Sequence, residues 1–357
     1  MKRVLIIGVG STFGGKEKFI YDVYDRIIGE ELIADVLCYT NPAKQVKDLI
    51  EHKGGKCYYI AQYSKRPLVF LKSIYKFYSN HRYDIIHCHA THTTVIMYAL
   101  PVWFSKQVDI FFHSHSTHTD HPIMHCLLRP VVNKRCKKRF ACSETAGYFM
   151  YGGLNGIDII KNGIPTSMFA FNNEIRVKVR RQYNIAKDTL VIGHVGRFTN
   201  EKNQIFLLDV LLRAKKILPN VKLMLVGDGV LKELVYRRCI DMGLFESVLF
   251  VGEQMCVAPF YQAMDAFFLP SLYEGLPFAA VEAQASGLFT VLSDRVSSEA
   301  QLLSDTLYLS LDVPDEWANC LIDKYQIHIR KNEKNHIMKL GYDIDEIAGR
   351  VKQSYFK

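Results

Sequence analysis

Short apolar runs rich in Val, Ile, Phe and Tyr recur along the chain, separated by longer amphipathic or charged stretches. In the first half they fall at Val4–Val9, Asp35–Tyr39, Lys56–Ile60, Asp84–Cys88, Asp109–His113, Arg139–Cys142 and Asp158–Ile160. In the second half they fall at Val191–His194, Lys222–Val226, Val248–Val251, Ala266–Leu269 and Thr290–Leu292, with helical segments near Asn203–Lys216 and Val230–Met242. Most of these runs are continuous, as expected of strands covered on both faces. Their alternation with helical stretches predicts right-handed crossovers and mostly parallel sheets. The pattern breaks over 165–187, where Gly163-Ile164-Pro165 stops a strand and a polar segment containing Asn172, Asn173, Arg176, Lys178, Arg180 and Arg181 follows. The expected fold is α/β: two doubly wound, Rossmann-like parallel-sheet domains facing a cleft, over residues 1–170 and 185–340.

A length of 357 residues suits two domains, and a composition of 49% apolar and 23% charged residues is that of an ordinary globular protein. No window reaches 18 consecutive apolar residues, so no spanning helix is expected. The apolar run after Met1-Lys2-Arg3 breaks at Gly8-Val9-Gly10, too soon for a secretory signal, so a cytoplasmic location is expected. Nine cysteines without a CxxC pair read as small buried hydrophobes, not as a disulfide frame or zinc site. The net charge of +9 changes the picture more, because it favours an anionic partner such as a nucleotide or a lipid headgroup.

In an open parallel sheet, ligands meet the chain beyond the C-terminal ends of the strands, and that rule filters the polar residues. Gly14-Gly15, after the first strand, permits close backbone approach, and the helix start behind it can hold an anion. Nine of the thirteen histidines lie between His81 and His125; no spacing among them matches a zinc pattern, and two separate loops would have to converge to make a metal site. His113, at the end of the fifth strand, is the best placed of them for a ligand oxygen. Gly196-Arg197 and Lys202 form a strand-to-helix junction whose two cations suit a diphosphate, and Val226-Gly227-Asp228-Gly229 ends the next strand in the same manner. The densest signal runs from Leu269 to Ala283: a loop carrying Glu274, Gly275, Leu276, Pro277 and Phe278, then a small-residue helix holding Glu282. A carboxylate in that apolar stretch needs a partner, and the vicinal diol of a ribose is a fitting one. Finally, Arg129, Lys134, Arg135, Lys137, Lys138 and Arg139 follow one another with no intervening acid, interleaved with Met124, Leu127, Leu128 and Val131 at helical spacing. That is the profile of a helix lying on an anionic bilayer.

Gly196-Arg197 with Lys202, then Val226 to Gly229, then Glu274 and Glu282 with seven residues between them, resemble the retaining family-4 glycosyltransferases of the GT-B fold, in particular their bacterial capsular and exopolysaccharide branch. The resemblance is clear over roughly residues 160–300 and looser at Gly14-Gly15 and His113. It implies an N-terminal acceptor-binding domain, a C-terminal nucleotide-sugar-binding domain, and a tail, 341–357, forming a helix that packs back on the first. It further implies that Arg197 and Lys202 hold the donor diphosphate, Glu282 the ribose hydroxyls and Glu274 the transferred sugar. Gly275, Leu276, Pro277 and Phe278 would lie along the donor, Gly14 and Gly15 would approach it from the first domain, and His113 would line the reacting centre. Where relatives often have a charged or glycine-rich approach to the second Glu, this chain has Phe278-Ala279-Ala280.

The activity so implied is transfer from a nucleotide diphosphate sugar, UDP-linked first of all, to a saccharide acceptor, undecaprenyl-linked in the capsular branch. No metal and no other cofactor is expected; the DxD at Asp343-Ile344-Asp345 falls in the tail, away from strand ends. A sugar-nucleotide epimerase of the same fold and a non-catalytic, membrane-associated scaffold subunit are the alternatives, separated by whether sugar turns over only with acceptor, without it, or not at all while nucleotide still binds. Nucleic acid is not an expected partner, because the basic run lacks interleaved aromatic residues. Peripheral attachment to the inner face of the cell membrane is expected through Ile123–Arg139.

Overall fold

The computed structural model describes every residue except Gly275, and every side chain within it except that of Ile327. Its strands are β1 Lys2–Ile7, β2 Leu32–Cys38, β3 Cys57–Tyr59, β4 Ile85–Ala90, β5 Asp109–Ser114, β6 Lys138–Ala141 and β7 Asp158–Ile159, then β8 Leu190–Val195, β9 Val221–Val226, β10 Val248–Gly252, β11 Ala266–Leu269, β12 Phe289–Ser293 and β13 Leu307–Leu309. They build two sheets, ordered β3-β2-β1-β4-β5-β6-β7 and β10-β9-β8-β11-β12-β13, with every pairing between neighbouring strands parallel. Both orders reverse direction once, between β1 and β4 and between β8 and β11. Those two switch points are where a doubly wound sheet opens a crevice for ligand.

Continuous apolar runs pack both faces of the second sheet because successive residues point to opposite sides. Ile192, Leu223, Leu225 and Phe268 pack with Leu207, Leu211 and Trp317 on one face, while Val191, Met224, Val226 and Phe267 pack with Tyr261, Met264 and Val281 on the other. This arrangement also explains why these strands show no polar alternation.

The chain divides into two compact units, residues 1–163 with 344–357, and residues 164–343. The polar run at 165–187, read as a seam, belongs to the second unit. Ile164 is fully buried there, and its N–H bonds the Tyr342 carbonyl at 2.9 Å. Arg176 and Arg180, on the helix Asn173–Gln182, both pair with Asp265, at 2.5 and 3.1 Å, and donate to the carbonyls of Ala263 and Met264. The charges that looked like solvated linker therefore hold the end of the helix Ala258–Ala263, whose last carbonyls lack partners of their own.

The tail helix, Ile344–Phe356, packs on the helix Gly15–Ile27 of the first unit. Ile347, Val351 and Tyr355 are buried, Asp345 pairs with Arg26 at 2.5 Å, and Lys352 pairs with Glu31 at 2.7 Å. Asp343 precedes this helix and accepts a 2.6 Å bond from Thr166, so the two carboxylates of the DxD serve different units.

Candidate active site

At the second switch point, β8 ends in Val195 and the chain turns at Gly196 into the exposed Arg197. The turn is built from below. His194 is fully buried; its Nδ1 meets the Phe268 carbonyl at 2.9 Å, and Gln204 donates 2.8 Å to the Arg197 carbonyl. Burial pushes His194 down to about 4, so it is neutral at physiological pH. Gly227 holds a backbone φ of +139°, and a Cβ there would collide with the Gly196 carbonyl oxygen, so only glycine lets the two strand-end loops close on each other. Phe198 N–H bonds the Asp228 carbonyl at 2.9 Å across the same junction. The Asp228 carboxylate turns back to its own neighbours, Gly229 N–H at 2.7 Å and Lys232 Nζ at 2.6 Å. Gly227 and Asp228, expected along the donor, brace the Arg197 turn in this structure.

Lys202 pairs with Glu274, and both side chains are about 15% exposed. Glu274 also accepts a 3.0 Å bond from Ser271 Oγ, and the Leu272 N–H bonds the Glu201 carbonyl at 2.8 Å, tying the loop after β11 to the turn after β8. Arg197, by contrast, has no ion-pair partner among the described residues. It is the open cation of the site, whereas Lys202 can meet an anion only by sharing itself with Glu274. Leu276 is buried, and Phe278 begins the helix Phe278–Ala285, whose flanking Pro277 offers no side-chain cap. Gly275 lies outside the described residues. Glu282 is 3% exposed, not on an open helix face, and Tyr261 Oη donates to its Oε2 at 2.9 Å. Burial and the neighbouring carboxylate raise the Tyr261 phenol well above its ordinary value, which keeps it a donor.

In the first unit the glycine turn is already occupied. Glu17 accepts from Gly10 N–H at 2.9 Å and from Gly14 N–H at 3.3 Å, and Lys16 pairs with Glu17 at 3.2 Å. The turn expected to hold a ligand anion at Gly14-Gly15 therefore holds an internal carboxylate, signalled by a Glu at the third position of the helix. His113 needs a second correction. It is fully buried, its ring 4.8 Å from Phe19 and 4.2 Å from His115, and burial pushes it down to about 3. Exposure instead begins two residues later, at the partly exposed His115. A cavity of about 130 Å³ opens at the C-terminal ends of β1, β2 and β4, lined by Lys16, Tyr39, Tyr63, His89, His92 and Tyr98 among others. A larger cavity, about 650 Å³, lies by Phe289 and Leu307 at the opposite ends of β12 and β13, away from the switch point.

The two histidine-bearing segments do converge, contrary to expectation, because β4 and β5 are neighbours with His89 in register with His113. Donor atoms of His87, His89 and His113 lie within 4.8 Å of one another. One tetrahedral ion with Zn–N bonds of about 2.0–2.1 Å needs its ligand nitrogens about 3.3 Å apart, so the three rings would have to draw together by up to about 1.5 Å. What the structure shows is His87 and His89 hydrogen-bonded to tyrosine and His115. The basic segment forms the helix Pro122–Arg135 and β6. Ile123 is 76% and Leu127 64% exposed, Met124 is also exposed, and Val132 is buried against the sheet. Of the cations, Lys137 and Lys138 pair with Asp109 and Asp158, Arg129 and Arg139 donate to backbone carbonyls, and Arg135 lies 5.8 Å from the ring of the exposed Phe104.

Residues 176–312 match the family model described as "Glycosyl transferases group 1". The putative glycosyltransferase EpsF of Bacillus subtilis is 29% identical, over 99% of this chain and 96% of that protein. This chain is a family-4 glycosyltransferase of the GT-B fold. A second relative, the UDP-Gal:alpha-D-GlcNAc-diphosphoundecaprenol alpha-1,3-galactosyltransferase of Escherichia coli, is 25% identical over 80% of this chain and 78% of its own length. Among solved structures, Alr3699/HepE of Anabaena in complex with UDP-glucose superposes with a TM-score of 0.80 at 18% identity, over 99% of both chains. Arg197, Glu282 and the Lys202–Glu274 pair all lie within the residues the family model matches. His194, Gln204, Tyr261 and Ser271 escaped the sequence reading. Tyr261 had no local signal, whereas His194 lies next to the Gly196 turn and could have been noted.

Proposed function

We propose that this glycosyltransferase moves a sugar, with retention of configuration, from a UDP-linked donor to a lipid-linked saccharide in capsular or exopolysaccharide synthesis. The observation that carries the reading is Arg197: an exposed cation without an ion-pair partner among the described residues, set at the switch point by the buried His194–Gln204 pair. It stands where a donor diphosphate would develop negative charge as the sugar–phosphate bond breaks, and a fixed cation there lowers the barrier. Lys202 shares that task once a diphosphate competes with Glu274 for its ammonium, which leaves Glu274 an acceptor for sugar hydroxyls. Glu282, oriented by Tyr261, accepts from the ribose diol. The leaving phosphate takes the acceptor proton in a front-face displacement, so no carboxylate is needed as nucleophile.

The acceptor side rests on the cavity of the first unit, lined by the aromatic Tyr39, Tyr63 and Tyr98 and by the polar Lys16 and His92. Exposed Ile123, Met124 and Leu127 beside Lys134 and Arg135 support peripheral attachment to an anionic leaflet on the cytoplasmic side, where a lipid-linked acceptor resides. The E. coli relative, by its name, acts on a diphosphoundecaprenol acceptor, which supports the same class here. The test is a thermal-shift screen of nucleotide sugars followed by transfer to undecaprenyl-linked saccharide extracts. One donor is expected to stabilise the protein and to be consumed only with acceptor. Turnover of a UDP-sugar without acceptor, or no stabilisation by any nucleotide, would overturn the reading.

A further inference from the structure

Five side chains of the first unit form one hydrogen-bond chain that no step above uses. His87 Nδ1 lies 2.5 Å from Tyr355 Oη and 3.0 Å from Tyr24 Oη, and the two hydroxyl oxygens lie 2.6 Å apart. Tyr24 Oη lies 3.5 Å from His89 Nε2, and His89 Nδ1 lies 3.0 Å from His115 Nε2. The chain starts with a residue of β4, passes through the tail helix and the helix Gly15–Ile27, returns to β4, and ends just past β5. His87, Tyr24, His89 and Tyr355 are fully or almost fully buried, while His115 is partly exposed.

Each neutral imidazole has one donor and one acceptor nitrogen, and each hydroxyl can pass a proton on, so the chain has two possible directions. In one, His115 Nε2 donates to His89 and the sequence ends with the proton of His87 on Nε2. That nitrogen is buried with no hydrogen-bond partner, so this direction strands an N–H donor. In the other, His87 Nδ1 donates to Tyr355, Tyr355 to Tyr24, Tyr24 to His89 Nε2, and His89 Nδ1 to His115 Nε2. What remains at His87 is then a bare lone pair. Buried donors without acceptors are the rarer and costlier defect, so the second direction wins. It leaves His115 with its proton on Nδ1, the ring nitrogen not engaged by His89.

We propose that this relay fixes His115 in its Nδ1–H form and that this N–H is the donor the first unit offers to an oxygen of the reacting sugars. Tyr24, Tyr355, His87 and His89 are its positioning residues. The inference rests on the sugar-transfer reading for the identity of the ligand but not for the state of the ring. The tail helix thereby has a task besides packing: Tyr355 accepts from His87 at the shorter of the two distances and donates to Tyr24, which turns the Tyr24 hydroxyl hydrogen toward His89. It also gives His87, His89 and His115 a reason to stand on or beside an otherwise apolar sheet face: a hydrophobic residue at position 87 or 89 would end the chain and release the His115 tautomer. No covalent bond changes; the relay holds a proton where it is needed.

The test reads the ring directly. Histidine-selective ¹⁵N labelling of the full chain, after chelator treatment so that no adventitious metal occupies the ring nitrogens, gives the tautomer of each histidine by long-range ¹H–¹⁵N correlation. His115 is assigned from its disappearance in His115→Gln. The expected result is an Nδ1–H tautomer at His115, opposite to the form free histidine prefers, shifting toward Nε2–H in Tyr24→Phe, and shifting less in Tyr355→Phe, where His87 still reaches Tyr24. In transfer assays, Tyr24→Phe is expected to lower kcat about fivefold, the worth of one neutral hydrogen bond, with donor affinity unchanged. An Nε2–H tautomer in the wild type, or a His115 tautomer unmoved by both phenylalanine variants, overturns the relay. The expected tautomer with undiminished transfer by His115→Gln overturns the contact with sugar. Because the ring is read without substrate, failure of the wild type to use any donor would count against the proposed function alone.

Discussion

Acid should unfold the first unit well before the second. Burial holds His87, His89, His113 and His115 well below the ordinary imidazole value, His113 at about 3. In the unfolded chain each titrates near 6.5, at about the model-peptide value. The folded value lies below the unfolded one, so as pH falls past 6.5 the unfolded chain takes up protons that the folded chain refuses. Stability is therefore complete above pH 6.5 and drains away with acid until the folded values are reached. At pH 5.5 each such ring has forfeited about 1.4 kcal/mol, so four of them forfeit roughly 5–6 kcal/mol, comparable to the whole stability of many domains. The second unit has one fully buried counterpart, His194 at about 4, and should lose only about 1.4 kcal/mol over the same interval. Hydrogen exchange with mass-spectrometric readout, corrected for intrinsic rates, separates the two: peptides from β4 and β5 should lose at least about 4 kcal/mol more protection between pH 7.5 and 5.5 than peptides from β8 and β11, because the half-buried His92 of the first unit, pushed down to about 4, adds to the four buried rings. A His87→Gln variant should show about 1.4 kcal/mol less of this pH-dependent loss, whatever its cost at neutral pH. Equal losses in the two units, or none in either, would refute the claim that these rings are buried uncharged.

Arg197→Ala and Lys202→Ala are each expected to lower kcat/KM by about 10²-fold with the fold intact; values within about threefold of wild type for both would end their assignment to the leaving group. Tyr261→Phe removes the hydroxyl that holds Glu282 and should weaken donor binding about five- to tenfold by calorimetry, whereas unchanged affinity would mean that Glu282 does not meet the donor. On phosphatidylglycerol vesicles, the protein should co-sediment in a salt-sensitive manner, and Ile123→Ser, Leu127→Ser, Lys134→Glu and Arg135→Glu together should abolish this; equal binding by both proteins would show the helix to be merely solvated.

Buried strands were the most legible feature of the sequence because residues such as Leu223, Met224, Leu225 and Val226 serve two cores and leave no room for polar alternation. β13, Leu307–Leu309, escaped because three half-buried residues at a sheet edge carry too little apolar signal. The extent of the second unit was misread for a physical reason: Arg176 and Arg180 look solvated in sequence, yet they are committed to Asp265 and to backbone carbonyls far along the chain. The same limit applies to the site. Arg197 and Glu282 stand out locally, by a glycine turn and by a carboxylate in an apolar helix. The partner that makes Glu282 tolerable is Tyr261, 21 residues earlier and invisible to any spacing rule. His113 was chosen over His115 because the strand was expected to end at it. The strand runs one residue further, which leaves His113 buried and makes His115 the first partly exposed ring.

The net charge first drew attention to an anionic partner, and its distribution bears on the proposed membrane surface more than on the nucleotide. The second unit carries 20 Lys and Arg against 21 Asp and Glu, so it is close to neutral, and the whole excess of positive charge belongs to the first. Within the first it is concentrated further: residues 52–143 hold 14 cations and only three acids, Asp84, Asp109 and Asp120. A diphosphate needs a few cations placed within hydrogen-bonding distance, and a nearly neutral background makes each of them count without attracting every polyanion in the cell. An anionic surface needs the reverse, many charges summed over a Debye length with little regard to geometry. The two requirements are met in different units. Net charge is thus poor evidence for the nucleotide site, which would bind its donor as well in a neutral protein. It bears instead on where the exposed apolar residues Ile123, Met124 and Leu127 are aimed: an apolar stripe embedded in the basic part of the chain is suited to an anionic leaflet, and the same stripe on the neutral unit would be suited to none.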